Sequence, residues 1–251
     1  MKPERRRIDQ LLTDRGLAPS REKARALLLA GAVRVNNQRV DKPGALVDLA
    51  AAIEVAESMP YVSRGGFKLA AALDHFHIDP ADRVCLDVGA STGGFTDCLL
   101  QRGAARVHTI DVGHGQLDWR LRNDPRVVLH EGLNARFLQP SDIGEPVSLA
   151  VCDVSFISAT LIVPALPPML TAPGEIVILV KPQFEVGRDQ VGKGGIVRES
   201  SLHQAACDKV QASAAALGFE GLNIIPSPIL GAEGNREFLL YGRHPHHRHH
   251  L

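Results

Sequence analysis

Six residues of types suited to proton transfer or to holding a cation stand where a fold by itself needs no charge. Asp87, Asp111 and Asp153 close three short apolar runs: Val84-Cys85-Leu86, Val107-His108-Thr109-Ile110 and Leu149-Ala150-Val151-Cys152. Lys181 closes a fourth, Ile176-Val177-Ile178-Leu179-Val180. Lys68 precedes the first run, and Glu237 lies in the last one, Asn235 to Tyr241. Taken singly, each reads as a surface salt-bridge partner. Two lysines and two acids converging in one place would instead suit acid–base chemistry. Ligands of an open parallel α/β sheet bind beyond the carboxyl ends of its strands, and four of these six residues are expected at such ends.

The elements that would position them follow from the pattern. From residue 82 the chain alternates apolar strand, glycine-rich turn and helix, which predicts an α/β, Rossmann-like, doubly wound and mostly parallel sheet over residues 82–243. The first turn is Asp87-Val88-Gly89-Ala90-Ser91-Thr92-Gly93-Gly94-Phe95. A glycine-rich loop after a first strand lets backbone approach a bound nucleotide. A dinucleotide fingerprint needs glycine where Ser91 stands, and that glycine serves a pyrophosphate. S-adenosylmethionine has no pyrophosphate, so Ser91 is compatible with it, and the Gly-Lys-Ser/Thr of a phosphate loop is absent. Asp111 follows Gly89 by about 20 residues, the spacing at which an acid accepts ribose hydroxyls. Asn134, after a third strand at 127–130, is a candidate adenine contact. The expected cofactor set is Asp87, Gly89, Ala90, Ser91, Gly93, Gly94, Phe95, Asp111, Asn134 and Asp153.

Charge divides the chain. Residues 1–42 hold 11 Lys+Arg against 5 Asp+Glu, while the whole chain of 251 residues is neutral. A small basic head on an acidic body predicts two domains and a polyanionic partner for the head. In the head, Ile8, Leu11 and Leu12 predict a helix over 5–15, and Ala24, Leu27 and Leu28 a second helix capped by Ser20 and ended by Gly31. Val33-Arg34-Val35 and Gln38-Arg39-Val40 flank Asn36-Asn37 as a hairpin. Arg5, Arg6, Arg7, Arg15, Arg21, Lys23, Arg25 and Arg34 lie off the apolar stripes. The head is expected over 1–58, with 59–81 as linker and start of the catalytic domain. The segment Ser58 to Lys68, with its proline and paired glycines, is a candidate hinge.

Several functions are excluded. No apolar stretch is long enough to span a bilayer, and the start lacks the apolar core of a signal peptide. Cys85, Cys98, Cys152 and Cys207 form no C-x-x-C pair and read as buried free thiols of a cytoplasmic protein. No His/Cys grouping has structural-zinc spacing. The tail, 244–251, is rich in histidine and expected to be disordered. Residues 183–198, with four glycines among charged residues, read either as a lid that contacts RNA through Lys193 and Arg198 or as a disordered excursion. Residues 200–217 read as a packing helix.

Two resemblances sharpen this. Arg7-Ile8-Asp9, Gly16-Leu17-Ala18-x-Ser20-Arg21, Ala24 and Gly31-x-Val33-x-Val35-Asn36 resemble the alpha-L RNA-binding motif of the fourth small-subunit ribosomal protein, over about residues 5–57. That resemblance implies structured RNA as the partner and brings Asn36, with Arg64 of the linker, into the expected RNA-contacting set. In the body, Ser63 to Lys68, Asp87 to Phe95, Asp153 to Ser158, Lys181 to Gly187, Gly192 to Arg198 and Arg236-Glu237-Phe238 resemble the TlyA family, often labelled haemolysins. The family's body is an FtsJ-like, S-adenosylmethionine-dependent ribose 2′-O-methyltransferase. The resemblance implies a Lys68–Asp153–Lys181–Glu237 catalytic tetrad, S-adenosylmethionine as cofactor, and cytidine of 16S or 23S rRNA, or of both, in ribosomal subunits as substrate. Met59 to Val62 departs from relatives with a more basic linker.

The physics is consistent with that implication. A ribose hydroxyl must lose its proton as it attacks a methyl group, and a neutral lysine can take it. Desolvation, Lys68 and the sulfonium favour a neutral Lys181, while Asp153 and Glu237 oppose this and keep buried charge paired. Lys181 is expected to be the base, with Lys68 and Glu237 positioning the ribose and Asp153 holding Lys181 near the cofactor. Competing readings are a membrane-lytic protein, which lacks its membrane segment, a non-catalytic ribosome-assembly factor, and a base-directed methyltransferase, which lacks an Asn-Pro-Pro-Tyr-like motif or a cysteine nucleophile after the fourth strand.

Overall fold

The computed structural model describes residues 4–29, 31–55 and 60–245, and these fall into two compact units, one within residues 1–59 and one within 60–251. Part of the expected hinge (Ser58 and Met59) and most of the tail (246–251) lie outside the described residues.

In the first unit β1 (Arg5–Arg7) leads into α1 (Ile8–Asp14), followed by α2 (Arg21–Leu29), β2 (Val33–Val35), β3 (Gln38–Arg39), β4 (Leu46–Asp48) and β5 (Ile53–Val55). The expected helix over 5–15 is corrected at its start. Arg5–Arg7 pair antiparallel with Leu46–Asp48, and Arg7 is extended at φ −63°, ψ 135°. Backbone partners outside the segment therefore outweigh helical propensity there. The hairpin forms as expected, with Asn36 at φ 48° and Asn37 at φ 65°, a left-handed pair that asparagine tolerates better than most residues. Ile8, Leu12, Ala24, Leu28 and Val33 make its small core.

The second unit contains α3 (Gly65–His75), β6 (Val84–Val88), α4 (Gly94–Gln101), β7 (Arg106–Asp111), α5 (Trp119–Arg122), β8 (Val127–Glu131), α6 (Pro140–Ile143), β9 (Val147–Cys152), β10 (Leu170–Val180), α7 (Pro182–Glu185), α8 (Ser200–Ala216), β11 (Glu220–Pro226) and β12 (Phe238–His244). Seven strands form one sheet in the order β11-β12-β10-β9-β6-β7-β8. Among these seven, β12 alone runs against the direction of the other six. Alternate residues of the central strands face opposite layers. Leu86, Val88, Ala150, Cys152, Ile176 and Ile178 pack in one layer with Ala206 and Val210 of α8. Cys85, Leu149, Val151 and Val177 pack in the other with Leu69 of α3 and Leu99 of α4. Burial on both faces is why these strands read as continuous apolar runs.

Two further expectations are corrected. Gly65 to Lys68 belong to α3 rather than to a linker. Gly66 faces the Tyr61 ring, whose Cγ a Cβ would meet at 2.1 Å, so glycine lets the aromatic lie flat on the helix. β12 runs through His244, opposite Gly174, so the strand extends one residue into the expected tail. The strand order reverses between β6 and β9, the switch point at which such sheets open a crevice.

Candidate active site

The loop after β6 is shaped by three positive φ angles: Gly89 at 83°, Ser91 at 50° and Gly93 at 98°. The Gly89 and Ala90 N–H groups donate to Ile110 O at 2.9 and 3.1 Å, which ties the loop to β7. Asp111, at the end of β7, accepts the Ser91 N–H at 2.7 Å and the Gly113 N–H at 2.8 Å. Glycine is required at 89 because a Cβ would sit 2.5 Å from Asp153 O, on the loop across the switch point.

A cavity of about 440 Å³ opens there, and Gly89, Ser91, Asp111, Asn134 and Asp153 line it. The other five expected cofactor residues do not. Asp87 is fully buried, its Oδ2 accepting the Thr96 hydroxyl at 2.6 Å while its Oδ1 has no partner among the described residues. Burial pushes its carboxyl up to about 7; Thr96 opposes that rise, and Asp153 and Asp111 add to it. Ala90 is buried in the turn. Gly93 meets Leu117 and Leu121, Gly94 meets Ser63 and Gly66, and Phe95 is a core residue. These positions shape the loop from beneath. The wall also includes Phe156 and Ile157 of the Asp153 to Ser158 motif, with Phe156 90% exposed, and Gln116, Leu133 and Ile162, which the sequence did not single out because they carry no spacing signal.

The four acid–base residues form two ion pairs. Lys68 Nζ on α3 pairs with Glu237 Oε2, both buried. Lys181 Nζ lies 2.6 Å from Asp153 Oδ1 and donates to Ser155 Oγ at 2.7 Å. Register brings the two pairs to one end of the sheet. Val180 is opposite Phe238, so the next opposed positions are Lys181 and Glu237. Cys152 lies beside both Val88 and Ile178, which sets Asp153 between the ends of β6 and β10. Buried Glu185 accepts the Ser158 hydroxyl at 2.5 Å and the Ala159 N–H at 2.7 Å, and so anchors the loop that carries Ser155. This arrangement can hold an ammonium or amine beside a cavity and keep its counter-charges in place.

The glycine-rich segment 183–198 is no open excursion. Buried Asn235 accepts the Val197 N–H at 3.0 Å and donates to Gly195 O at 2.9 Å. Lys193 and Arg198 remain exposed, without an ion pair or hydrogen bond among the described residues. Arg64 donates to Leu230 O at 2.7 Å.

In the first unit the expected RNA contacts divide. Buried Asp9 accepts Arg7 at 3.0 and 2.9 Å and Arg21 at 3.4 Å; the Arg7 hydrogen bond holds its carboxyl below the usual range. Arg6 pairs with Asp14 at 2.8 Å, and Arg15 donates to Ala51 O at 2.8 Å. Asn36 Oδ1 accepts the Ala52 N–H at 3.0 Å. Arg5, Lys23, Arg25 and Arg34 are exposed and unengaged among the described residues.

Comparison with known proteins assigns the chain to a family. Residues 61–244 match the FtsJ-like methyltransferase family, and residues 6–53 match the S4 domain. The chain belongs to the FtsJ-like methyltransferase family. It is 48% identical over 241 residues to the Mycobacterium tuberculosis "16S/23S rRNA (cytidine-2'-O)-methyltransferase TlyA", covering 95% of this chain and 90% of that one. It is 46% identical over 244 residues to the Bacillus subtilis "Putative rRNA methyltransferase YqxC", covering 96% and 86%. The solved structure of a "Putative hemolysin" from Streptococcus thermophilus superposes with a TM-score of 0.74 at 45% identity, over 98% of this chain and 90% of that one. The FtsJ-like match bears out the expected α/β methyltransferase body, and the S4 match the expected head. Among the described residues no helix is long and apolar enough to cross a membrane.

Proposed function

We propose that this protein is a cytoplasmic, S-adenosylmethionine-dependent ribosomal RNA ribose 2′-O-methyltransferase acting on cytidine in ribosomal subunits. The observation that supports this most is the pair of lysine–carboxylate ion pairs, Lys68–Glu237 and Lys181–Asp153, at one sheet end beside the switch-point cavity. The relatives named as cytidine 2′-O-methyltransferases supply the substrate class.

The cavity fits the cofactor. Gly89 keeps its backbone bare at the crossing with Asp153, Asp111 presents a carboxylate for ribose hydroxyls, and Asn134 stands on the same wall. When bound, S-adenosylmethionine supplies an electrophilic methyl group on a sulfonium. Lys181 Nζ takes the 2′-hydroxyl proton as the oxygen attacks, and Asp153 and Ser155 hold that nitrogen in place. Lys68 donates to the ribose and is kept oriented by Glu237. Arg5, Lys23, Arg25 and Arg34, the unengaged cations of the S4 unit, contact phosphates, with Lys193 and Arg198 of the body. The arginines that close on Asp9, Asp14 and backbone carbonyls mainly shape the unit.

The test is methyl transfer from labelled S-adenosylmethionine to purified ribosomal subunits, with Lys181→Ala beside the wild type. Loss of a general base lowers turnover by about 10²–10⁴-fold, and cofactor affinity should be unchanged. Near-full activity of Lys181→Ala would overturn the assignment. Absence of label with wild type, despite cofactor and rRNA binding, would favour an assembly factor.

A further inference from the structure

We infer that Ser155 is a positioning residue of the base, the hydroxyl acceptor that aims the Lys181 nitrogen; this rests on the reading of Lys181 as general base. The Lys181 Nζ donates its hydrogen bond to Ser155 Oγ at 2.7 Å, while Asp153 Oδ1, 2.6 Å away, forms an ion pair with it and has no hydrogen-bond partner among the described residues. The lysine side chain is 11% exposed, while Ser155 stands open to solvent. Ser155 follows Asp153 by two residues and lines the same cavity.

The count of hydrogens carries the argument. A lysine that accepts a proton must first be a neutral amine, with two N–H groups and one lone pair. Ser155 accepts one of those N–H groups, and Asp153 holds the nitrogen by charge. The lone pair is then confined to directions away from Ser155. With Asp153 alone, the ion pair fixes the distance of the nitrogen and not its direction, and the lone pair is free to turn. A base must lie within hydrogen-bond reach of the proton it removes and be aimed at it. After transfer the ammonium has three N–H groups, one still on Ser155 and one on the new ether oxygen, and its charge is matched by the Asp153 carboxylate. The proton thus moves from the ribose oxygen to nitrogen while the oxygen–carbon bond forms and the carbon–sulfur bond breaks. The Ser155 loop keeps its place because Glu185 clamps it three residues on, through Ser158 and Ala159. Ser155 touches neither substrate nor cofactor in this role; it acts through Lys181.

The experiment compares wild type, Ser155→Ala, Ser155→Thr and Lys181→Ala for steady-state methylation of ribosomal subunits and for S-adenosylmethionine affinity by calorimetry. Ser155→Ala should lower kcat by roughly tenfold while KM for both substrates and cofactor affinity stay within about twofold. Ser155→Thr, which keeps the oxygen, should recover most of the kcat. A kcat for Ser155→Ala equal to wild type overturns the proposal if Lys181→Ala is dead. If Lys181→Ala is also fully active, the base assignment itself has failed and the proposal fails with it. An increase in kcat for Ser155→Ala likewise overturns it, because that follows if the serine proton is donated into the lone pair. A loss of cofactor affinity parallel to kcat, unrescued by threonine, makes Ser155 a wall residue and also overturns it.

Discussion

Asp87→Asn should make the methyltransferase unit more stable in alkaline solution, although it removes an acid from the head of the cofactor loop. Asp87 is fully buried, has one partnered oxygen and one without, and its carboxyl is raised from 3.8 to about 7. Below pH 3.8 the residue is protonated folded or unfolded. Between 3.8 and about 7 the native state keeps a proton that the unfolded state has lost, so stability falls as pH rises through that window. Above it the full cost of a buried carboxylate is present. At ~1.36 kcal/mol per unit, the interval amounts to ~4 kcal/mol, of which ~3 kcal/mol falls between about pH 5 and 8. Asparagine carries no charge at any pH, and its carbonyl can still accept the Thr96 hydroxyl. Its amide inherits the unpartnered position, which costs about 1–3 kcal/mol. The variant is therefore expected to be near neutral at pH 5 and more stable than wild type by roughly 1–3 kcal/mol at pH 8. Urea unfolding of the ligand-free protein would measure this, read from the fluorescence of Trp119, the sole tryptophan, which lies in this unit. A stability difference that does not change between pH 5 and 8 would refute the reasoning.

Two further changes test neighbouring parts of the structure. Gly89→Ala places a Cβ 2.5 Å from Asp153 O at a φ of +83°. A backbone cost of ~1–2 kcal/mol should accompany a loss of S-adenosylmethionine affinity of about tenfold or more, measured by calorimetry; unchanged affinity would place the cofactor elsewhere. His130 stacks on His108, and burial, followed by that neighbour, pulls its imidazole below the usual 6.5, with Asp142 opposing. The unfolded state then binds the proton first, so stability is lost as pH falls from 6.5 toward the lower native value. His130→Gln should flatten that part of the urea-midpoint profile between pH 7.5 and 5.5, and an equally steep profile in both proteins would count against the cause given.

Much of the body was legible because its signals are local. Alternation and burial made Cys85 to Val88 and Ile176 to Val180 readable as strands, and Gly89, Ser91 and Gly93 marked a turn that needs positive φ. The charged residues at the strand ends were visible because nothing in an apolar run demands them. Less legible was the side each loop residue faces. Phe95 and Gly93 stand in the same motif as Gly89, yet they pack into the core and against Leu117 and Leu121. Motif membership carries no information about which layer of the fold a side chain enters.

The sequence by itself determined the fold class, the S4-like head, the cofactor loop and the six charged residues, through periodicity, glycine placement and chain-local spacing. Only the tertiary structure decided the partners. Lys68 meets Glu237 across 169 positions of chain, and Lys181 finds both Asp153 and Ser155, because strand register and helix packing bring distant segments to one sheet end. It likewise decided that Arg7 and Arg21 close on buried Asp9 while Arg25 and Arg34 stay unengaged among the described residues. A charge read from sequence has a type and a position in the chain. Its partner and solvent exposure follow from which other segments pack beside it.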